Sequence, residues 1–254
     1  METGSRSLTL RDVRDLCDLY EVTDPAEREH LAQLAIETRQ PGWWQSYDLS
    51  FATYVGLEAA ATTLIEFSCA IVPGLLQTSE YMRAIFKASL PETTAERAEQ
   101  YAEVRLTRQR LLTRDPPLQL VAVLDEATLQ RAVGGPTVMA GQLDWLVTAA
   151  RAPNITIQVV ANATGAHPAM ESSFSILEFS DNTPTLVYVE GLVGYIYLER
   201  PQDTIRYRAV FESLVKVALT PQESVGFMTE IREQYKKKIP KALFSSGRGR
   251  GGTA

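Results

Sequence analysis

Residues 153–199 read PNITIQVVANATGAHPAMESSFSILEFSDNTPTLVYVEGLVGYIYLE, and this stretch decides the fold. Four short apolar runs, 155–160, 173–179, 185–190 and 195–199, are separated by Asn, Gly, Pro and Asp, the residues of turns. Ile155, Ile157 and Val159 alternate with Thr156 and Gln158. Tyr195 and Tyr197 alternate in the same way with Ile196 and Leu198, the two-residue period of a strand. Such alternation predicts an antiparallel sheet with one covered face. The loop 161–172 joins the first two runs and carries His167, one of 2 histidines in the chain.

Upstream, Leu118–Leu124 is a continuous apolar run, as in a strand buried on both faces. It ends in Asp125-Glu126, passes through a short helix, and Gly134-Gly135-Pro136 opens a helix over 136–150. With 155–160 this predicts a β-α-β unit. Thr9-x-x-Asp12 and Asp24-Pro25 start two N-terminal helices, the second with Leu31, Leu34 and Ala35 inward. Pro41-Gly42 ends the second, and Trp43-Trp44 follows. That pair reads as a buried wedge between subdomains or as a platform for a ligand or partner. Residues 54–67 read as an apolar, Ala-rich helix. Val72–Thr78 reads as a turn into a helix capped by Thr78 or Ser79.

The helix 94–114 mixes Arg97, Arg105, Arg108, Arg110 and Arg114 with Glu96, Glu99 and Glu103. A basic face for phosphates is open, but mixed signs favour a solvated helix laced with i,i+4 pairs. A helix over 203–219 and one capped by Thr220-Pro221-x-Glu223 close the fold, ahead of a basic, Gly-rich tail. The sum is an α+β protein: a helical N-terminal layer, then a mixed, mostly antiparallel sheet of about five strands flanked by helices. The expected divisions are 1–41, 42–235 and 236–254, the last a disordered basic tail.

The 254-residue chain is 45% hydrophobic and 22% charged, with a net charge of −6. That balance is ordinary for a globular protein and gives no general pull toward nucleic acid. Cys17 and Cys69 lack metal or redox spacing and read as reduced core thiols of a cytoplasmic protein. No apolar run reaches membrane-spanning length. No GxSxG, HExxH, Walker loop or strand-borne GxGxxG is present, so neither a metal nor a cofactor is expected.

The remaining polar residues at strand ends and in the long loop are the candidate ligand or partner site: Asp125, Glu126, His167, Pro168, Glu190, Tyr195 and Tyr197, with Trp43 and Trp44. Strand ends and long loops are where open α/β sheets bind ligands. Loop residue His167 is a histidine, the side-chain type whose ordinary pKa of about 6.5 lies nearest neutrality. Loop 161–172 exceeds the usual connection of about four to six residues. Were the chain an enzyme, His167, Glu171 and Glu190 would supply its acid–base groups. The plainer reading pairs Glu190 with an arginine and leaves His167-Pro168 to shape a turn, with Met170 and Phe174 capping the core.

Several stretches carry a resemblance: METGSRSLTLRDVRDLCDLYEV at 1–22, GWWQSY at 42–47, TYVGLEAAA at 53–61 and VPGLLQTSEYMRA at 72–84. VLDEATLQRAVGGPTVM at 123–139, GAHPAMESSFSILEF at 165–179 and LVYVEGLVGYIYLERPQD at 186–203 complete it. Together they resemble the actinobacterial (Streptomyces-type) antitoxin-like transcriptional regulators with a helix-turn-helix head of the xenobiotic-response-element type. The resemblance runs to about Tyr235. It implies a DNA-binding regulator encoded beside a small partner protein, and is compatible with a homo-oligomer.

Two departures stand out. Met1 falls near the end of the family's recognition helix, leaving only its last head helix at 9–20, and the segment from Trp44 to Tyr54 is short of aromatics. Specific DNA binding is therefore expected only through a complete head or a full-length subunit. The expected function is the sensor and partner-binding region of such a regulator. A cofactor-free enzyme built in the same domain is the alternative.

Overall fold

The structure is a computed structural model and describes residues 9–37, 52–89, 95–180, 183–191 and 194–240. Trp43 and Trp44 lie outside the described residues, as does the side chain of Leu34. The chain forms two compact units, Met1–Gly56 and Leu57–Ala254.

In the first unit, α1 (Leu10–Leu19) begins where Thr9 and Asp12 close a capping box, each side chain bonding the other's backbone N–H. Helix α2 (Pro25–Glu37) packs on it through Val13, Cys17, Leu31 and Ala35. Arg28 ties the turn between them, donating to the Val22 carbonyl at 3.1 Å and to Asp18 at 2.7 Å.

Helix α3 (Ala52–Ala60) leads into the second unit, and here the expectation of one helix over 54–67 fails. The helix stops at Ala60, and Thr63–Ser68 is a strand, β1. The alanines favour a helix, but beyond them Thr62 and Thr63 are β-branched, and Leu64, Ile65 and Phe67 find strand partners on both sides. Pairing across the sheet decides such a short apolar run.

The remaining strands are β2 (Gln119–Asp125), β3 (Ile155–Val160), β4 (Phe174–Glu178), β5 (Leu186–Gly191) and β6 (Gly194–Leu198), in the order β3-β2-β1-β4-β5-β6. All five expected runs are strands, and β1, the sixth, holds the centre. β1, β2 and β3 are parallel, whereas β1–β4, β4–β5 and β5–β6 are antiparallel. The fold is α+β with an open mixed sheet.

Helices α4 (Ser79–Ser89) and α5 (Ala95–Gln109) lie between β1 and β2, while α6 (Glu126–Gln130) and α7 (Pro136–Ala149) form the crossover from β2 to β3. Helices α8 (Pro201–Val217) and α9 (Pro221–Lys238) follow β6. The last helix starts at the expected capping box of Thr220 and Glu223 and runs through Lys236, Lys237 and Lys238, so the tail does not begin at 236. Cations at a helix C-terminus complement its dipole.

One sheet face is the apolar core: Ile65, Phe67, Val123, Val160, Phe174, Ile176 and Val187 pack with Phe211 and Leu214 of α8. The other face presents the alternate residues, from Leu64 and Leu120 to Leu177 and Leu186, likewise buried. Strand β3 is therefore covered on both faces, not one. Gln158 is 8% exposed and donates to the Leu219 carbonyl at 2.9 Å, so its side chain closes a gap under the α8–α9 link instead of facing water.

Candidate functional site

The residues singled out from sequence fall into two places on opposite faces of the sheet. The first is at the carboxyl ends of β1, β2 and β3. His167 Nε2 lies 3.2 Å from Asp125 Oδ2, and the Ala169 N–H points to His167 Nδ1 at 3.3 Å. With Nδ1 accepting, Nε2 carries the proton and donates to Asp125. The imidazole is 5% exposed and stands edge-on to Phe67, with centroids 5.5 Å apart. Asp125 Oδ1 also caps α6, accepting from the Ala127 N–H at 2.7 Å, and Glu126 accepts from the Asn162 N–H at 2.7 Å. Loop 161–172 is thus fastened at its start and at its middle to the start of α6.

Both His167 nitrogens are engaged, so this ring holds the loop and has no nitrogen left for a substrate. Pro168 is exposed beside it. Met170, at 62% exposure, does not cap the core; Ala169, at 6%, takes that place next to Phe174. The acid–base set His167, Glu171 and Glu190 is not assembled. Glu171 is exposed, and Glu190 is exposed at the far side of β5 on the other face.

That other face carries a site the sequence does not announce. Strand register aligns Glu66 with Ser175, Ser175 with Tyr188, and Tyr188 with Tyr197, one row across four strands; Glu190 pairs with Tyr195 beside it. The Ser175 hydroxyl donates to Glu66 Oε1 at 3.1 Å. Ring centroids of Tyr188, Tyr195 and Tyr197 lie 5.3 to 6.1 Å apart. Near this row, Arg108 of α5 holds Glu58 of α3 through Nε to Oε2 and Nη2 to Oε1, both at 2.6 Å. Gly74 makes room for that guanidinium, since a Cβ there would come to 3.3 Å from it. One turn earlier, Arg105 donates to Gln77 Oε1 and lies 5.4 Å above the Phe86 ring. The mixed-charge helix is therefore not simply solvated: its i, i+3 arginines turn inward.

Glu66 Oε2 and the Tyr197 hydroxyl are sealed from solvent with no hydrogen-bond partner among the described residues. Buried polar atoms are nearly always paired, so each such exception calls for a reason. Desolvation, with the Glu58 carboxylate adding to it, raises the Glu66 pKa to about 7; Arg108, the Ser175 hydrogen bond and Arg105 only partly oppose this. At neutral pH the carboxyl is poised between its two forms. Burial, then Tyr195 and Glu190, push Tyr197 up to about 12, and burial followed by Glu190 raises Tyr188 further. Glu190 makes no ion pair among the described residues, so the expected arginine partner is not found.

Glu66 escapes a reading of the sequence because its strand follows an Ala-rich helix without a break. The available signal is Thr63 to Phe67 itself, a strand-forming run with one acid in it. Among the described residues no group of three or more His, Cys, Asp or Glu could hold a metal, and no helix is long and apolar enough to cross a membrane.

The architecture is thus an α+β domain with a central, half-parallel sheet and a polar row on one covered face. Residues 51–230, most of the chain, match a family described as a domain of unknown function, DUF5753, and the chain belongs to that family. No curated protein and no solved structure matches it.

Proposed function

We propose that this chain is the sensing region of a cytoplasmic transcriptional regulator of the antitoxin-like, xenobiotic-response-element type. Its task is to receive a small molecule at the Glu66 row and to pass the occupancy on to a small partner protein. DNA contact belongs to a complete helix-turn-helix head or a full-length subunit, since a net charge of −6 supplies no general attraction to phosphates. The regulator context comes from the resemblance to the Streptomyces-type proteins. One observation carries the sensing role: the Glu66 carboxyl, sealed, lacking a partner on Oε2 and balanced near pH 7 in its protonation. Such a group changes its charge state when a neighbour with hydrogen-bonding or ionic character arrives.

The test is a thermal-shift screen of the purified chain against a mixed set of small cations, neutral molecules and anions. Glu66→Gln is run in parallel, and each compound is recovered for mass spectrometry. Binding that depends on Glu66 and leaves the compound unchanged supports a sensor. Chemical conversion of the compound, or no Glu66-dependent binder, overturns it.

A further inference from the structure

Resting on that sensing role, we propose that the Glu66 row takes a small organic cation, an ammonium or guanidinium on a flat apolar body. It enters at Tyr195 and Glu190 and places its charge against Glu66 Oε2.

The charges around the row set the sign. Arg108 and Glu58 neutralise each other in a two-point contact with side chains 6% and 0% exposed. Arg105 donates to Gln77 and lies over the Phe86 ring, neither of which cancels its charge, and it faces Glu66 as a cation. Glu66 and Glu190 are left without ion pairs among the described residues, one deep on β1 and one exposed near the carboxyl end of β5. With Glu66 ionised, the carboxylates of Glu58, Glu66 and Glu190 outnumber the guanidiniums of Arg105 and Arg108 by one, and the exposed Glu190 stands at the entrance, so the row favours a cation over an anion. Between Glu66 and Glu190 run three tyrosine rings, whose faces attract cations as well as flat apolar groups. Tyr195, 43% exposed, is the outermost ring, and Tyr197 adds a hydroxyl without a partner among the described residues. Glu66 and Tyr197 are three strands apart, roughly 14 Å along the row. A ligand body of one ring with a short chain matches that reach.

The groups facing Glu66 are Glu58, Arg105, Arg108 and Ser175, with Tyr188, Tyr195, Tyr197 and Glu190 further along. Glu66 is raised to about 7, chiefly by its burial. A cation requires the ionised carboxylate, so below neutrality binding must expel a proton. Affinity rises with pH and levels off above about pH 7, by roughly 30-fold between pH 5.5 and pH 8.

Phenylbutylamine, phenylbutanol and phenylbutyrate share one body and differ in charge, and calorimetric titration of each into the full chain tests the inference. Phenylbutylamine is expected to bind the wild type, more tightly at the higher pH, and to lose most of its affinity in Glu66→Gln. Glu66→Gln copies the neutral carboxyl, and the pH series on the wild type gives the same answer should that variant misfold. Equal binding of phenylbutanol, Glu66-dependent binding of phenylbutyrate, or an amine affinity indifferent to pH overturns the cation while leaving a ligand site at Glu66. If none of the three binds, the cation falls, while the sensing role stands or falls with the wider thermal-shift screen.

Discussion

Arg108 and Glu58 meet side by side, two hydrogen bonds of 2.6 Å between guanidinium and carboxylate, both side chains almost wholly out of water. The pair fastens α5 to the end of α3. Removing one member strands the other as a lone buried charge, which costs about 3–5 kcal/mol. Arg108→Met is therefore expected to lower the unfolding free energy by that amount in urea titrations. The double variant Arg108→Met/Glu58→Gln should recover a large part of it, because no isolated charge remains. A single variant as stable as the wild type would show that the pair is not desolvated.

Glu66 ties stability to pH in an unusual direction for a carboxyl. Its folded pKa lies near 7, above the ordinary value of 4.5, so the native protein binds the proton more tightly than the unfolded chain. The contribution is complete below about pH 4.5 and is lost as pH rises to about 7, by roughly 3 kcal/mol at most. Glu66→Gln removes the titration. The difference in unfolding free energy between variant and wild type should be small near pH 4.5 and grow in favour of the variant up to about pH 7, then stay level. A difference that does not change with pH would contradict the assignment.

Two glycines should respond oppositely to alanine. Gly134 has φ of 69°, and a Cβ there would lie 2.9 Å from Val138 and 3.0 Å from Ala84. Left-handed backbone and overlap together cost about 2–4 kcal/mol in Gly134→Ala. Gly141 sits within α7, and a methyl group added there would meet nothing within 4 Å. Gly141→Ala should raise stability by about 0.5–1 kcal/mol through helix propensity alone. Paired thermal denaturation curves check both signs.

Legibility from sequence follows the strength of local signals. Capping boxes at Thr9 and Thr220 act within one turn, and their residues announce them directly. Strands bounded by Asn, Gly and Pro are equally plain. β1 is not, because Ala59 to Ala61 run into it without a turn residue and its identity comes from β2 and β4, far away in sequence. With β1 hidden, so is Glu66, and with it the meaning of Arg105 and Arg108, whose inward direction depends on what they cover. Tyr195, Tyr197 and Glu190 stand out as polar residues on strands, but their neighbours Tyr188 and Glu66 are set by register, which no local pattern specifies. His167 and Asp125 do meet, since Asp125 ends β2 and the loop that carries His167 leaves the same end of neighbouring, parallel β3.

That meeting supports the last prediction. His167 joins two chain segments, donating from Nε2 to Asp125 and accepting at Nδ1 from Ala169, while its ring packs on Phe67. In His167→Ala, the Ala169 amide and one Asp125 oxygen lose their partners, and the ring's apolar contact goes too; each unpaired buried group costs about 1–3 kcal/mol. Relaxation of an exposed loop recovers part of this, because Ala163 to Gly165 already face water. The loss should be local. Glu126 still holds the Asn162 amide at the start of the loop, and Asp125 still caps α6 through Ala127. Hydrogen exchange at Ala169 and the amides around it should therefore speed up by about tenfold or more, the factor that corresponds to about 1.4 kcal/mol, with β2 and β3 amides unchanged and α6 intact. Uniform acceleration through the sheet would instead make His167 part of the global core. An unchanged rate at Ala169 would show that the loop is held by its backbone alone.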